Sequence, residues 1–319
     1  MAKPEKAPRY TVRDFFESHA EELKLTQLAS SKKGLKREIK EPTVNRPGLA
    51  LSGFFTYFAK RRIQVLGNSE MSYLRTLPAE RRKIRFTELC QRNIPCLIIA
   101  RKMEMPPDLL AIAEEFGIAV LRTSMITMKF INLATLRLEW DFAPTALEHG
   151  CMVDVRGIGI FIRGKSGSGK SEAVLGLLER GWSLVADDSV RFRAVGQELI
   201  GSATELGKAH MEVRGIGIIN TTNLFGIGTL RLRKKLDLVV TLLPAKDLNE
   251  VDRFGSVGRS ISILEVDVPH VELAVAPGRD TARMIEVAAL DQKLKDFGYD
   301  AAEEFNNRLI ALMQSQTRD

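Results

Sequence analysis

The apolar positions of this 319-residue chain change period several times, and the changes predict an α/β protein in two parts. In the first part, residues 11–28 are patterned as a helix, and Pro47-Gly48-Leu49-Ala50 breaks the chain ahead of a more apolar stretch. The clearest unit is the apolar run Pro95-Cys96-Leu97-Ile98-Ile99-Ala100, then a helix over residues 107–116 opened by Pro107 and stopped by Gly117. A second apolar run, Ile118-Ala119-Val120-Leu121, follows. Strand, helix and strand in so short a span predict a parallel pair with a right-handed crossover. A further helix over residues 124–139 closes this part, and Asp141-Phe142-Ala143-Pro144 reads as a connector.

The second part opens with the strand pattern Met152-Val153-Asp154-Val155-Arg156, a turn at Gly157, and the buried-strand run Gly159-Ile160-Phe161-Ile162-Arg163. A helix is predicted over residues 172–181. Ala173, Val174, Leu177 and Leu178 fall on one face, and Gly181 suits the left-handed residue past its end. Trp182-Ser183-Leu184-Val185-Ala186 is an apolar strand ending in Asp187-Asp188, and residues 236–243 form a mostly apolar run suited to a buried strand. Two helices finish the chain. In the last, Phe305, Leu309 and Leu312 keep i, i+4, i+7 spacing, which predicts packing on a core or a neighbouring subunit. Residues 1–143 therefore read as an α/β scaffold or regulatory domain, and residues 144–319 as the domain carrying chemistry.

That chemistry is announced between the predicted strand and helix. Gly164-Lys165-Ser166-Gly167-Ser168-Gly169-Lys170-Ser171 matches the phosphate-loop pattern G-x-x-x-x-G-K-[ST] in full. Its glycines permit a tight turn whose backbone N–H groups aim at a phosphate chain. The ammonium of Lys170 reaches the outer phosphates, and the hydroxyl of Ser171 is placed for a magnesium ion. Asp187 and Asp188, following the next strand, fall at the sheet edge beside the loop mouth, where carboxylates orient a metal or accept a proton from an attacking hydroxyl. In Met211-Glu212-Val213-Arg214-Gly215-Ile216-Gly217-Ile218-Ile219-Asn220, two glycines around an apolar strand suggest close backbone approach. By chemistry alone Glu212 and Arg214 read as an exposed ion pair, His149 as a satisfied core histidine, and Arg253 carries no distinct signal.

Composition narrows the class. Hydrophobic residues make up 45% and charged residues 27%, with no apolar run of membrane-spanning length and no signal-peptide pattern. The charged, proline-containing first nine residues read as a solvated tail. Cys90, Cys96 and Cys151 fit neither a disulfide framework nor a zinc spacing, which points to reduced thiols in the cytoplasm. The net charge of +7 suits phosphorylated ligands or an acidic protein surface. Basic runs such as Arg231-Leu232-Arg233-Lys234-Lys235 lack any nucleic-acid-binding motif, so neither nucleic acid nor membrane is expected as a partner.

Several ordered blocks resemble the HPr kinase/phosphorylase family, bacterial bifunctional enzymes acting on a serine of the phosphocarrier protein HPr. They are His149-Gly150, the loop with Glu172, Leu184-Val185-Ala186-Asp187-Asp188, and the distinctive block from Glu212 to Asn220. Asp252-Arg253, Pro277-Gly278-Arg279 and Ile285-Glu286-Val287-Ala288-Ala289 follow. The resemblance implies a P-loop kinase domain similar to phosphoenolpyruvate carboxykinase, using ATP and Mg2+. It implies Asp188 as general base, and as acid in reverse, with Lys170, His149 and Arg253 around the transferred phosphoryl. Ser171 and Glu212 serve the magnesium and Asp187 supports the site. A homohexamer built from the C-terminal domains is implied too. Around residues 274–279 the family's phosphorolysis segment carries a proline and a second arginine, where this chain has Ala274 and Ala276. The kinase direction is thus better supported than phosphorolysis. A small-molecule kinase or carboxykinase relative, and a non-catalytic nucleotide-binding or nucleic-acid-binding regulator, stand as the other readings.

Overall fold

The computed structural model describes residues 9–29, 32–205, 207–244, 259–276 and 278–316. They fall into two compact units that divide between Ala143 and Pro144. The first opens on α1 (Val12–His19), followed by β1 (Leu25–Ala29), α2 (Lys32–Leu35), β2 (Val44–Asn45), α3 (Gly48–Leu51) and β3 (Ile63–Leu66). It continues through α4 (Asn68–Thr76), α5 (Ala79–Cys90), β4 (Cys96–Ile99), α6 (Pro107–Glu115), β5 (Ala119–Thr123) and α7 (Thr127–Phe142). Its sheet has the order β1-β5-β4-β3-β2, parallel except for β1. Side chains of β4 alternate between two cores: Leu97 and Ile99 pack with Phe86, Leu89 and Leu109, whereas Cys96 and Ile98 pack with Phe15, Phe130 and Leu138. Burial on both faces explains why β4 reads as an unbroken apolar run.

The strand–helix–strand unit and its parallel pairing agree with the sequence reading, with Cys96 opposite Ala119. Other boundaries differ. The helix expected over residues 11–28 stops at His19, because Leu25 to Ala29 pair antiparallel with β5, a long-range ladder that overrides local periodicity. Its start is set by a capping box, with Thr11 N–H donating to Asp14 Oδ2 (2.8 Å) and Asp14 N–H donating to Thr11 Oγ1 (3.3 Å). The expected break at residues 47–50 is instead the short helix α3, which buries Ala50 and Leu51. Helix α7 runs on through Phe142, so Asp141 belongs to it rather than to a connector. The Asp141 carboxylate accepts from Tyr10 Oη (2.5 Å) and meets His19 Nε2 at 2.6 Å.

The second unit contains β6 (Thr145–His149), β7 (Cys151–Val155), β8 (Ile158–Gly164), α8 (Lys170–Glu179), β9 (Ser183–Ala186), β10 (Ser189–Val195) and β11 (Glu198–Ala203). Then come β12 (His210–Val213), β13 (Gly217–Asn220), α9 (Thr221–Phe225), β14 (Arg233–Lys235), β15 (Leu238–Pro244), β16 (Ser260–Ile263), β17 (Val266–Val275), α10 (Thr281–Asp296) and α11 (Ala301–Gln316). The central sheet has the order β16-β17-β15-β8-β7-β9, with β17, β15 and β8 parallel. Ile160 and Ile162 of β8 face α8 and α10, through Val174, Leu177 and Ile285. Phe161 points the other way, edge-on to Phe192 (centroids 5.0 Å) in a second sheet of order β14-β11-β10-β6. Helices on one face and a sheet on the other leave the β8–α8 junction at the sheet's edge. On α11, Phe305 and Leu309 are exposed rather than packed on the unit's core, and the Leu312 side chain lies outside the described residues.

Candidate active site

Strand β8 ends at Gly164 and α8 starts at Lys170, so the phosphate-loop sequence occupies a strand-to-helix turn. Gly164 is required there. Its φ is 157°, and a Cβ would lie 2.8 Å from the carbonyl oxygen of Leu242 on the adjacent parallel strand. Gly169 (φ 84°) caps α8 without a side chain, leaving the N–H groups of the first turn for a bound anion. Lys170 is buried and its Nζ donates to the carbonyls of Gly164 (3.1 Å) and Lys165 (3.2 Å), folding the ammonium back onto the loop. Ser168 donates its N–H to Lys165 O (3.1 Å), while its buried hydroxyl oxygen has no hydrogen-bond partner.

A cleft of about 190 Å³ opens beside this turn. The loop contributes Ser166, Gly167 and Gly169, and the helix contributes Lys170, Ser171 and Glu172. Both β8 and β9 run antiparallel to β7, so Asp187 and Asp188 emerge at the same sheet end as the loop and line the cleft. His149 and Cys151 join from the β6–β7 corner, and Glu212 and Arg214 from the β12–β13 hairpin.

The two acids are held differently. Asp187 is engaged at both oxygens: Cys151 Sγ–H donates to Oδ1 (2.9 Å) and the Glu212 N–H donates to Oδ2 (3.1 Å). Burial, then the Asp187 carboxylate, pushes the Cys151 thiol far above its ordinary value, so it remains protonated and donates. Asp188 is open to solvent, its side chain 72% exposed, and its Oδ1 lies 3.3 Å from His149 Nδ1. Its backbone has φ 61°, and Ser189 N–H donates across it to Asp187 O (2.7 Å). That three-residue turn is strained for a residue with a Cβ.

His149, Lys170, Ser171, Asp188 and Glu212 thus meet in one cleft, and Gly164, Lys165 and Ser168 shape the loop behind it. Arg253 lies outside the described residues. His149 is no core histidine, for its side chain is 59% exposed. Gly215 and Gly217 are not sites of close backbone approach either. They turn the β12–β13 hairpin at φ 84° and 105° with open space where a Cβ would sit. Sequence reasoning gave no site role to Cys151 or to Arg214. The latter's guanidinium nitrogens lie 3.7 Å from where a Cβ on Gly167 would be, which places a cation over the loop. Adjacency of Cys151 to the His149-Gly150 block was the available signal.

No group of three or more His, Cys, Asp or Glu side chains converges as a ready metal cage among the described residues. Besides His149 and Cys151, the cleft is lined by hard oxygen donors, the Ser171 hydroxyl and the Glu212 carboxylate among them. That set fits a magnesium ion, which keeps waters and shares phosphate oxygens rather than filling an all-protein cage. A phosphate cradle beside one tethered and one exposed carboxylate is the layout of a phosphoryl-transfer enzyme.

Comparison with known proteins agrees. The profile described as HPr Serine kinase C-terminal domain matches residues 140–309, and that described as HPr Serine kinase N terminus matches residues 10–138. HPr kinase/phosphorylase of Bacillus licheniformis is 42% identical over 289 residues, 90% of this chain and 93% of that protein. The enzyme of the same name from Chloroherpeton thalassium is 44% identical over 313 residues, 96% of this chain and 91% of that one. The solved structure of the Hpr(Ser) kinase/phosphatase from Coxiella burnetii is 29% identical, with a TM-score of 0.46, covering 50% of this chain and 97% of that chain. The chain belongs to the HPr serine kinase family.

Proposed function

We propose that this protein is a magnesium-dependent serine kinase that moves a phosphoryl group from ATP, or from pyrophosphate, onto a serine of HPr, and that it also runs the phosphorolytic reverse reaction. The carrying observation is the meeting of the β8–α8 loop with Asp188 and His149 in one cleft. The second unit is read as a P-loop kinase domain of the phosphoenolpyruvate carboxykinase type. The parallel β15–β8 pair feeding the glycine loop and α8 supports that reading.

The protein's part is positioning and charge neutralisation. Backbone N–H groups at the α8 start and the Lys170 ammonium offset negative charge on the transferred group. Asp188 takes the proton of the serine hydroxyl as its oxygen attacks phosphorus and the bond to the donor breaks. In reverse, an oxygen of inorganic phosphate attacks the phosphorus of phosphoserine. The bond to the serine oxygen breaks, Asp188 returns the proton to that oxygen, and pyrophosphate leaves. Ser171 and Glu212 would hold a magnesium ion, which would supply positive charge to offset that of the phosphates. Asp187, bound at both oxygens, serves as a strut.

The same reading places the protein in the cytoplasm as a homohexamer. Three free, buried cysteines support a reducing compartment. Exposed Leu290 and Leu294 on α10, with Phe305 and Leu309 on α11, supply apolar surface for assembly. Among the described residues no helix is long and apolar enough to cross a membrane.

Incubation with purified HPr, magnesium and γ-labelled ATP, then with excess inorganic phosphate, tests the proposal. Label on an HPr serine followed by pyrophosphate release is the expected result. Label appearing on a metabolite panel and never on HPr overturns it.

A further inference from the structure

The β12–β13 hairpin pairs Met211 with Ile219, Glu212 with Ile218 and Val213 with Gly217. Side chains alternate between the two faces of such a ladder. One face, with Met211 buried and Val213 and Ile219 beside it, packs on the core that includes Val174 and Leu177 of α8. The other face holds Glu212, which lines the cleft, and directly across from it Ile218. The Glu212 N–H points away from β13 to Asp187 Oδ2 (3.1 Å). Glu212 and Ile218 are therefore a non-hydrogen-bonded pair, the kind whose side chains lie closest. Ile218 is 77% exposed, and Ile216 in the adjoining turn is 76% exposed.

We propose that Ile216 and Ile218 form a docking lip for the protein that delivers the serine, and that they are specificity determinants for HPr. Apolar side chains next to the accepting serine pack on the two isoleucines as the hydroxyl enters the cleft. Single exposed apolar residues are ordinary, but these two stand together on the hairpin whose Glu212 and Arg214 line the cleft. The hairpin is already anchored by its other face, so polar residues would serve folding equally well at both positions. Size selects the occupant. The cleft is about 190 Å³ and has the phosphate end of the donor to hold. A small acceptor sits inside it and gains nothing from side chains beyond the rim, whereas a folded acceptor extends past the rim and covers them. The bond from Glu212 to Asp187 keeps the lip in one frame with the carboxylates. A second copy of this chain is the competing occupant.

The inference rests on the HPr kinase reading, and its test keeps the two apart. The double variant Ile216→Ser, Ile218→Thr removes the apolar surface and leaves a β-branched residue in β13. Should it fold poorly, Ile218→Thr alone carries the same comparison. Steady-state transfer from labelled ATP to HPr is measured together with calorimetric titration of HPr and of ATP, and with sedimentation velocity. KM for HPr is expected to rise at least tenfold and HPr affinity to fall in parallel. The kcat value and ATP affinity are expected to stay within threefold of wild type, with unchanged sedimentation. Unchanged KM and affinity for HPr overturn the proposal. A variant that sediments as a smaller species also overturns it and assigns the isoleucines to a contact between copies. Wild-type protein that binds HPr without transferring label counts against the kinase reading, while the affinity comparison still decides the lip. Wild-type protein that neither binds nor phosphorylates HPr overturns both.

Discussion

Gly150 donates its backbone N–H to the carbonyl oxygen of Asp188 at 2.9 Å, joining the β6–β7 corner to the turn that presents the exposed carboxylate. Only glycine fits this corner. Its φ is 153°, and a Cβ would lie 2.6 Å from both the Ile162 carbonyl oxygen and the Phe161 ring. Gly150→Ala is expected to destabilise the second unit by about 2 kcal/mol or more, as backbone strain and a core clash combine. Calorimetric unfolding should show the loss, and kcat should fall in protein that remains folded.

Lys170 spends its donors on the loop's own carbonyls at 3.1 and 3.2 Å, so a bound phosphate competes for an ammonium already in place. Lys170→Met keeps the length and deletes the charge. Charge-assisted hydrogen bonds contribute about 1.5–3 kcal/mol, so ATP affinity by calorimetric titration should drop roughly tenfold to a hundredfold.

Strand β17 ends at Val275, whose Cγ1 lies 3.8 Å from where a Cβ on Gly169 would sit, so Ala276 follows directly on a residue that abuts the loop. An arginine there would add a cation for inorganic phosphate. Ala276→Arg is expected to speed pyrophosphate release from phosphoserine-HPr several-fold and to leave the forward rate within about twofold. An unchanged reverse rate counts against a role for this segment in phosphorolysis.

His270 on β17 meets the Thr241 hydroxyl of β15 at 2.7 Å. Burial, aided by the guanidinium charges of Arg163 and Arg259 and opposed by Glu272, holds its imidazole below the ordinary value of 6.5. The folded state then binds this proton less readily than the unfolded chain. The stabilisation is complete above pH 6.5 and is lost as pH falls through the lower folded value. Unfolding midpoints measured from pH 7.5 down to 5 should decline, and His270→Gln should flatten part of that slope.

Legibility in the sequence followed distance along the chain. The loop, its strand and helix, and the Asp187-Asp188 pair lie within about thirty consecutive residues, and local pattern sufficed for them. Contacts between distant residues left no local mark. Asp141 reads as a connector because its partners Tyr10 and His19 lie 131 and 122 positions away. Cys151 looks like one more apolar residue opening a strand until Asp187, 36 positions on, is seen to accept from it. Strand β1 hides inside an apparent helix because its burial comes from pairing with β5. His149 became a site residue by resemblance alone; the Ser189–His149 pairing of β10 with β6 gives the physical reason, carrying it beside Asp188.

The proposed division of labour between a tethered Asp187 and an exposed Asp188 is tested most directly by single-turnover transfer from labelled ATP to HPr in Asp188→Asn, with ATP binding measured on the same samples. Removing a general base costs about a hundredfold to ten-thousandfold. The expected outcome is a rate reduced by at least a hundredfold with ATP affinity within about threefold of wild type. Transfer at the wild-type rate would contradict the assignment of the proton to Asp188.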